Sequence, residues 1–350
     1  MKFGKVRIEK GEFFFYRHMV LNSLPCKDIV WAYIKQEVPS AAVGRHLLTT
    51  YLVIVTRRRK IYQFDMAQKD ADSCIHLLKA LNSEMTVGFP GGDRVHLESV
   101  PNTRDMGALL SLDHRHIVPR RLLRSGDLYH LSKGDQKILL EEYHLKKVID
   151  LRSKEEYEER PDTVMAGVEY YHLPILDEEV AGPVKIRTLS GILSGEEVCS
   201  QEQYEGLYES MFTDEYSVKQ FARILDLLRD SSGGAVLWHG GVGKDRTGIV
   251  TMLILSVLGI SRKVIREDFL RSNEFLESDK KYMKLYLKDR DNYNELRENQ
   301  LKFFYNVEES YLTRAFYSID REYGSMQTFL KKGLLLNPKM IQELRNGYLL

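Results

Sequence analysis

The chain has 350 residues, with 51 lysines and arginines against 50 aspartates and glutamates and a net charge of +1. A balance this close to neutral argues against a nucleic-acid binder or a polybasic membrane surface, and 43% hydrophobic with 10% aromatic residues excludes disorder as the dominant state. At roughly 100 to 200 residues per domain, the length suggests two domains.

Residues 2–65 run in short bursts of strand-forming side chains at 12–16, 29–37, 49–56 and 61–65, with little helical periodicity. The pair 51–56 and 61–64 flanks the basic turn Arg57, Arg58, Arg59, Lys60, which predicts a β-hairpin with a solvated, charged tip. The alternative for that tip is contact with an inositol headgroup or anionic lipid. From 69 to 81, Ala71, Cys74, Leu77, Leu78 and Leu81 share one face of an amphipathic helix. Strands closed by one helix resemble a pleckstrin-homology-like module, so a smaller, mainly-β domain is expected over 1–92. Phe89-Pro-Gly-Gly92 supplies turn chemistry, placing a linker near 84–95.

Beyond residue 100 helical and strand patterns alternate, which predicts an α/β domain over 98–350 with a central β-sheet flanked by helices. A helix at 133–143 precedes the apolar strand 146–152, and a second strand runs from 169 to 175, reaching Asp177. Val218, Phe221, Ala222, Leu225 and Leu228 make one helical face over 217–228. The run 235–239 reads as a central strand, followed by a helix at 246–258 that stops at Gly259. Residues 181–204 read as a lid or a surface insertion, and 289–350 as a charged helical tail whose aromatics pack on the domain.

Between that strand and that helix stands His239-Gly-Gly-Val-Gly-Lys-Asp-Arg-Thr-Gly248. A glycine-rich loop feeding a helix turns consecutive N–H groups inward as an anion nest, and the helix N-terminus adds partial positive charge. Arg246 offers a planar fork to two phosphate oxygens and Lys244 a point charge. A phosphate site follows, and not a Walker A loop, because Lys244 is followed by Asp245 and Arg246.

This stretch resembles the H-C-x-x-G-K-D-R-T-G signature loop of bacterial cysteine-dependent protein tyrosine phosphatases, in the branch with dual-specificity and phosphoinositide-active members. Asn102-Thr-Arg-Asp-Met-Gly107, Leu123-Arg-Ser-Gly126, Val148-Ile-Asp-Leu-Arg-Ser153 and Asp268-Phe-Leu-Arg-Ser-Asn273 are similar to further blocks of that branch. The resemblance implies a phosphate bound by Arg246 and by the N–H groups of Gly241, Val242, Gly243, Lys244 and Asp245, with His239 positioning the loop. Thr247 would stabilise the departing thiolate, Asp177 would be the main general acid, and Asp245 an auxiliary acid or water-positioning group. Arg104, Asp105, Arg124, Ser125, Asp150 and Arg152 are read as architectural, with Asp105 or Arg124 at the rim of the site as the alternative.

Where the resemblance implies the nucleophilic cysteine, this chain has Gly240. Glycine cannot form the thiophosphate intermediate, so the chain is expected to bind phosphomonoesters without turning them over. Gly240 is either a replaced cysteine in a working phosphatase or the natural residue of a pseudophosphatase that reads phosphorylated ligands. The ligands implied are phosphotyrosine in a protein or peptide first, and a phosphoinositide or inositol phosphate second. Cys26, Cys74 and Cys199 have no CxxC spacing, so neither a disulfide scaffold nor a zinc site is expected. No cofactor is implied by the chemistry. The start lacks the apolar core of a signal peptide, and 249–258 is about half of the roughly 20 residues of a membrane span, so a cytoplasmic protein is expected.

Overall fold

The computed structural model describes residues 1–37, 49–88, 92–176, 200–230, 233–289 and 293–350. The chain divides into two compact units, Met1–Gly91 with Val118–Arg120, and Gly92–Ile117 with Arg121–Leu350.

In the first unit, β1 (Lys2–Phe3), β2 (Val6–Glu9), β3 (Glu12–Arg17) and β4 (Val20–Pro25) form an antiparallel meander. Val6 and Ile8 alternate with exposed Arg7 and Glu9, and Phe13 and Phe15 take the same inner face, as period-two patterning requires. A second sheet has the order β7-β6-β5-β8, from β5 (Ile29–Glu37), β6 (Thr49–Thr56), β7 (Ile61–Asp65) and β8 (Thr86–Val87). The hairpin expected around Arg57–Lys60 is β6–β7. The expected helix is α1 (Gln68–Leu81), which buries Ala71, Cys74, Ile75 and Leu78. Phe13, Phe15, Ile8, Leu52, Ile54 and Leu78 meet in one core, each full burial stabilising by roughly 1.5–3 kcal/mol.

The second unit is built on a six-stranded sheet of order β13-β12-β14-β11-β10-β9. It comprises β9 (Asp93–Arg94), β10 (Arg104–Asp105), β11 (Leu122–Ser125), β12 (Leu145–Asp150), β13 (Glu169–His172) and β14 (Ala235–His239). β13, β12, β14 and β11 are parallel, with β10 and β9 antiparallel at one edge. Side chains of β14 alternate between two cores: Val236 and Trp238 enter one, Ala235 and Leu237 the other. A sheet covered on both faces explains its continuous apolar run.

Helices α2 (Lys133–Lys137), α3 (Lys154–Glu159), α4 (Gln201–Thr213), α5 (Glu215–Arg229) and α6 (Asp245–Val257) belong to this unit. After them come α7 (Arg262–Phe275), α8 (Glu277–Lys288), α9 (Glu295–Tyr305), α10 (Glu309–Tyr323) and α11 (Pro338–Tyr348). α6 is buried on nearly every side, which marks it as the central helix. The helix expected at 133–143 is present, beginning as α2 and widening into a π-helical turn at Ile138–Glu142. One expectation is corrected: the second strand ends at His172, before Pro174, which cannot donate to a ladder. Asp177 and most of the segment 181–204 lie outside the described residues.

Candidate active site

Residues 240–244 join β14 to α6 at the carboxyl ends of the parallel strands, where open α/β sheets present their ligand crevice. The carbonyls of this loop are tied back one after another. Gly241 O accepts from the Asp127 N–H at 2.8 Å. Val242 O and Gly243 O accept from Asn102 Nδ2 at 3.2 and 2.9 Å, and Gly243 O also from Arg124 Nη2 at 2.8 Å. In a planar trans peptide each carbonyl points opposite the next N–H, so the N–H groups of Val242, Gly243 and Lys244 turn away from these tethers, as an anion nest requires. Gly243 sits at φ +73°, and a Cβ there would lie 2.4 Å from Ser125 O, so only glycine fits. The first turn of α6 then adds unsatisfied N–H groups and the positive end of its dipole.

The tethers are themselves locked. Arg104 Nη1 donates to Asn102 Oδ1, which fixes the amide with its NH₂ toward the loop. Arg104 and Arg124 are fully buried and share one carboxylate, Asp268, with Arg104 Nε to Oδ1 at 3.0 Å and Arg124 Nη1 to Oδ2 at 2.6 Å. Burial and the neighbouring Arg104 push Arg124 down to about 9. Burial alone would raise Asp268, but the two guanidinium groups hold it below the usual carboxylate range. Arg104 and Arg124 are therefore positioning residues, as the architectural reading expected, and Asp268 is the partner that sequence reasoning did not single out.

Arg246 is held by a residue the sequence reading also missed. Its Nη1 and Nη2 donate to Glu156 Oε2 and Oε1 at 2.6 and 2.8 Å, a bidentate pair. Glu156 is the fourth residue of Ser153-Lys-Glu-Glu156, and its Oε2 also accepts from the Ser153 N–H at 2.9 Å, closing a capping box on α3. Burial would raise the Glu156 carboxyl; Arg246 and the Ser153 N–H outweigh it and lower it. The spacing S-x-x-E was the available signal.

His239 is fully buried, with Nε2 2.8 Å from Asp162 Oδ2 and Nδ1 3.3 Å from Gly240 O. Burial lowers its pKa, but Asp150 and Asp162 more than compensate, so the imidazolium is favoured. Asp150, Asp162 and His239 have the donor set of a metal site, yet Arg152 Nη2 lies 2.6 Å from Asp150 Oδ2 and 2.9 Å from Asp162 Oδ1. The guanidinium supplies the cation there, making the cluster an ion-pair network.

Two loop residues depart from expectation. Lys244 does not offer a point charge to the nest: its ammonium donates to Phe303 O at 2.7 Å and Asn306 O at 2.9 Å, and lies 3.2 Å from the Tyr204 hydroxyl. These carbonyls are at the end of α9, where helices leave acceptors unsatisfied and favour a cation. Asp245 is likewise internal, accepting from the Tyr204 hydroxyl at 2.7 Å and from Tyr208. Asn273 binds the backbone of Val307 from both ends of its amide. A cleft of about 190 Å³ lies against Gly241 and Val242, walled by Tyr129, Phe304 and Tyr305 with Arg160 at its side.

A family model described as "Tyrosine phosphatase family" matches residues 95–350. The chain belongs to the tyrosine phosphatase family. Within the tyrosine phosphatases, it is 29% identical over 239 residues to the triple specificity protein phosphatase PtpB of Mycobacterium tuberculosis, covering 61% of this chain and 85% of that protein. It is 28% identical over 161 residues to a tyrosine-protein phosphatase of Nostoc commune, covering 45% of this chain and 50% of that one. The family match spans Asn102, Arg104, Arg124, Asp127, Glu156 and Asp268, the residues that hold the loop and Arg246 in place. No helix among the described residues is long and apolar enough to cross a membrane.

Proposed function

We propose that this chain is a phosphotyrosine-type phosphomonoesterase scaffold in which Gly240 holds the nucleophile position, so that it binds phosphomonoesters without hydrolysing them. The observation that carries this reading is local to that position. A Cβ at Gly240 would stand 3.2 Å from Thr247 Oγ1 and 3.9 Å from Arg246 Nε, and the buried Thr247 hydroxyl has no hydrogen-bond partner among the described residues. A thiolate at 240 would supply that partner and face the guanidinium. In the cysteine variant the thiolate attacks phosphorus as the ester P–O bond breaks, an acid protonates the leaving oxygen, and water then cleaves the P–S bond. Asp245 is occupied by two tyrosine hydroxyls, which favours Asp177 as that acid.

Lys244 faces α9, so the extra positive charge suited to a multiply phosphorylated inositol is withdrawn, while Tyr129, Phe304 and Tyr305 give the cleft aromatic walls. Both features favour an aryl phosphate. The Mycobacterium tuberculosis relative is named for triple specificity, so the substrate panel includes phosphoserine peptides and phosphoinositides. The first unit fits a pleckstrin-homology-like reading in its strands and single closing helix, and buried, free Cys26 and Cys74 fit a reducing, cytoplasmic compartment.

The test is hydrolysis of an aryl phosphate by Gly240→Cys, beside the chain itself and Gly240→Cys with Arg246→Met. Activity in the single variant alone is expected. Inactivity of all three with retained phosphate binding would replace the silenced-enzyme reading by that of a natural phosphate reader. Within the active variant, Asp177→Asn is expected to lower turnover and remove the alkaline limb of kcat; full turnover with that limb intact would reject Asp177.

A further inference from the structure

We propose that the β3–β4 hairpin tip of the first unit docks onto an anionic lipid bilayer, independently of the phosphate cradle. The tip joins Arg17 to Val20 through a two-residue turn, His18-Met19. Met19 is 97% exposed, Tyr16 68%, Val20 62% and Leu21 49%, and Tyr16 stands opposite Leu21 in the ladder. Four exposed apolar side chains thus cluster at one end of a small sheet, Tyr16 and Leu21 on one face, Val20 beside Arg17 on the other, and Met19 at the turn between them.

The turn is not built for ease of folding. His18 and Met19 both have positive φ, 49° and 64°, the geometry of a tight hairpin turn that glycine and asparagine occupy best. The turn at the other end, Lys10-Gly11, is polar and has one non-glycine residue at positive φ, Lys10 at 49°, beside glycine at 79°, whereas the tip has two. Side chains kept at the cost of local strain point to use of those side chains.

Basic residues surround the tip. Arg17 is in the hairpin itself, Lys5 lies in the β1–β2 turn at the same end, and Lys2 and Arg7 are paired on the neighbouring strands. The acids near them are Asp65, 3.6 Å from Lys5, Glu9, 3.5 Å from Arg7, and Asp70, whose carboxylate lies beside Gly4 in the β1–β2 turn; against Lys2, Lys5, Arg7 and Arg17 this still leaves an excess of positive charge. An apolar tip inside a basic collar matches the two-part demand of an anionic interface, with tyrosine and aliphatic side chains at the acyl boundary and Lys or Arg on lipid phosphates. A protein partner needs about 800 Å² on each side, far more than one hairpin tip. The Arg57–Lys60 turn is separate, since Lys5 contacts Asp65 at the opposite end of β7 from that turn.

The experiment is co-sedimentation of the full chain with phosphatidylcholine vesicles with and without phosphatidylserine. Binding is expected only with phosphatidylserine, weakening as salt is added. Met19→Glu with Val20→Glu should weaken it about tenfold or more, and Lys5→Glu with Arg17→Glu should remove the preference for phosphatidylserine. Both sets are surface changes, so circular dichroism and the melting temperature should not move. Arg57→Glu with Arg58→Glu should leave binding intact. The proposal is overturned by failure to sediment with anionic vesicles, by indifference to the hairpin variants, or by loss of binding in the Arg57 and Arg58 variant alone. Self-association through the tip without vesicle binding would likewise overturn it, making the tip a protein contact.

Discussion

At Gly243 a single missing Cβ decides whether the loop closes. Gly243 and Gly167 have nearly the same φ, +73° and +77°, but a Cβ at Gly243 meets Ser125 O at 2.4 Å while one at Gly167 meets nothing within 4 Å. Gly167→Ala should cost only the left-handed penalty, about 1 kcal/mol, and Gly243→Ala at least about 2 kcal/mol more together with phosphate binding. Urea unfolding and phosphate titration of the pair measure the difference; equal costs would mean that the loop gives way at no penalty. Asp268 carries a larger share. Removing it by Asp268→Ala leaves Arg104 and Arg124 buried without their shared counter-charge, and loss of one partner of a buried pair costs about 3–5 kcal/mol. A urea-measured cost under about 1 kcal/mol would show that neither arginine depends on it.

Among the elements, α9 meets the signature loop through the Lys244 ammonium and through Val242, which packs on the apolar cluster of Leu301 and Tyr305. Lys244 caps its C-terminal carbonyls, and α9 also supplies Phe304 and Tyr305 to the cleft wall. Lys244→Met should therefore speed hydrogen exchange over 300–306 while changing inorganic phosphate affinity by less than about twofold. A large affinity loss with unchanged exchange would return Lys244 to the phosphate site. No local pattern in the sequence announces this orientation. The signature stretch, the 235–239 strand, the β6–β7 hairpin and α1 are legible because turn chemistry and apolar periodicity act within a few residues. Glu156 lies 90 positions from Arg246, and Asp268 lies 144 from Arg124, so those pairings arise only once the sheet has formed. The S-x-x-E of α3 is a local signal, but it announces a helix start and says nothing of the guanidinium that the same carboxylate holds.

For the whole molecule, the first unit loses stability toward alkaline pH and the second toward both ends of the scale. In the second, Asp150 is lowered to about 2: burial opposes this, but His239 and Arg152 prevail, and Glu156 and Asp268 are lowered as well. A depressed carboxylate contributes stability that is present above its unfolded pKa, about 4, and is lost as pH falls toward the folded value. His239 is raised, so its contribution is complete below about 6.5 and is lost as pH rises through the folded value. The second unit should be most stable between about pH 4 and 6.5. In the first, burial pushes the thiols of Cys26 and Cys74 up to about 11 and about 12, so folding disfavours their ionisation and stability falls as pH rises above about 9. The 2 tryptophans report separately, since buried Trp31 belongs to the first unit and buried Trp238 to the second. Trp31→Phe should show a melting temperature that drops by several degrees from pH 5 to pH 3, and Trp238→Phe one that drops between pH 8.5 and 10.5. Coincident melting of the two reporters at every pH would show that the ionisable clusters do not govern their own units.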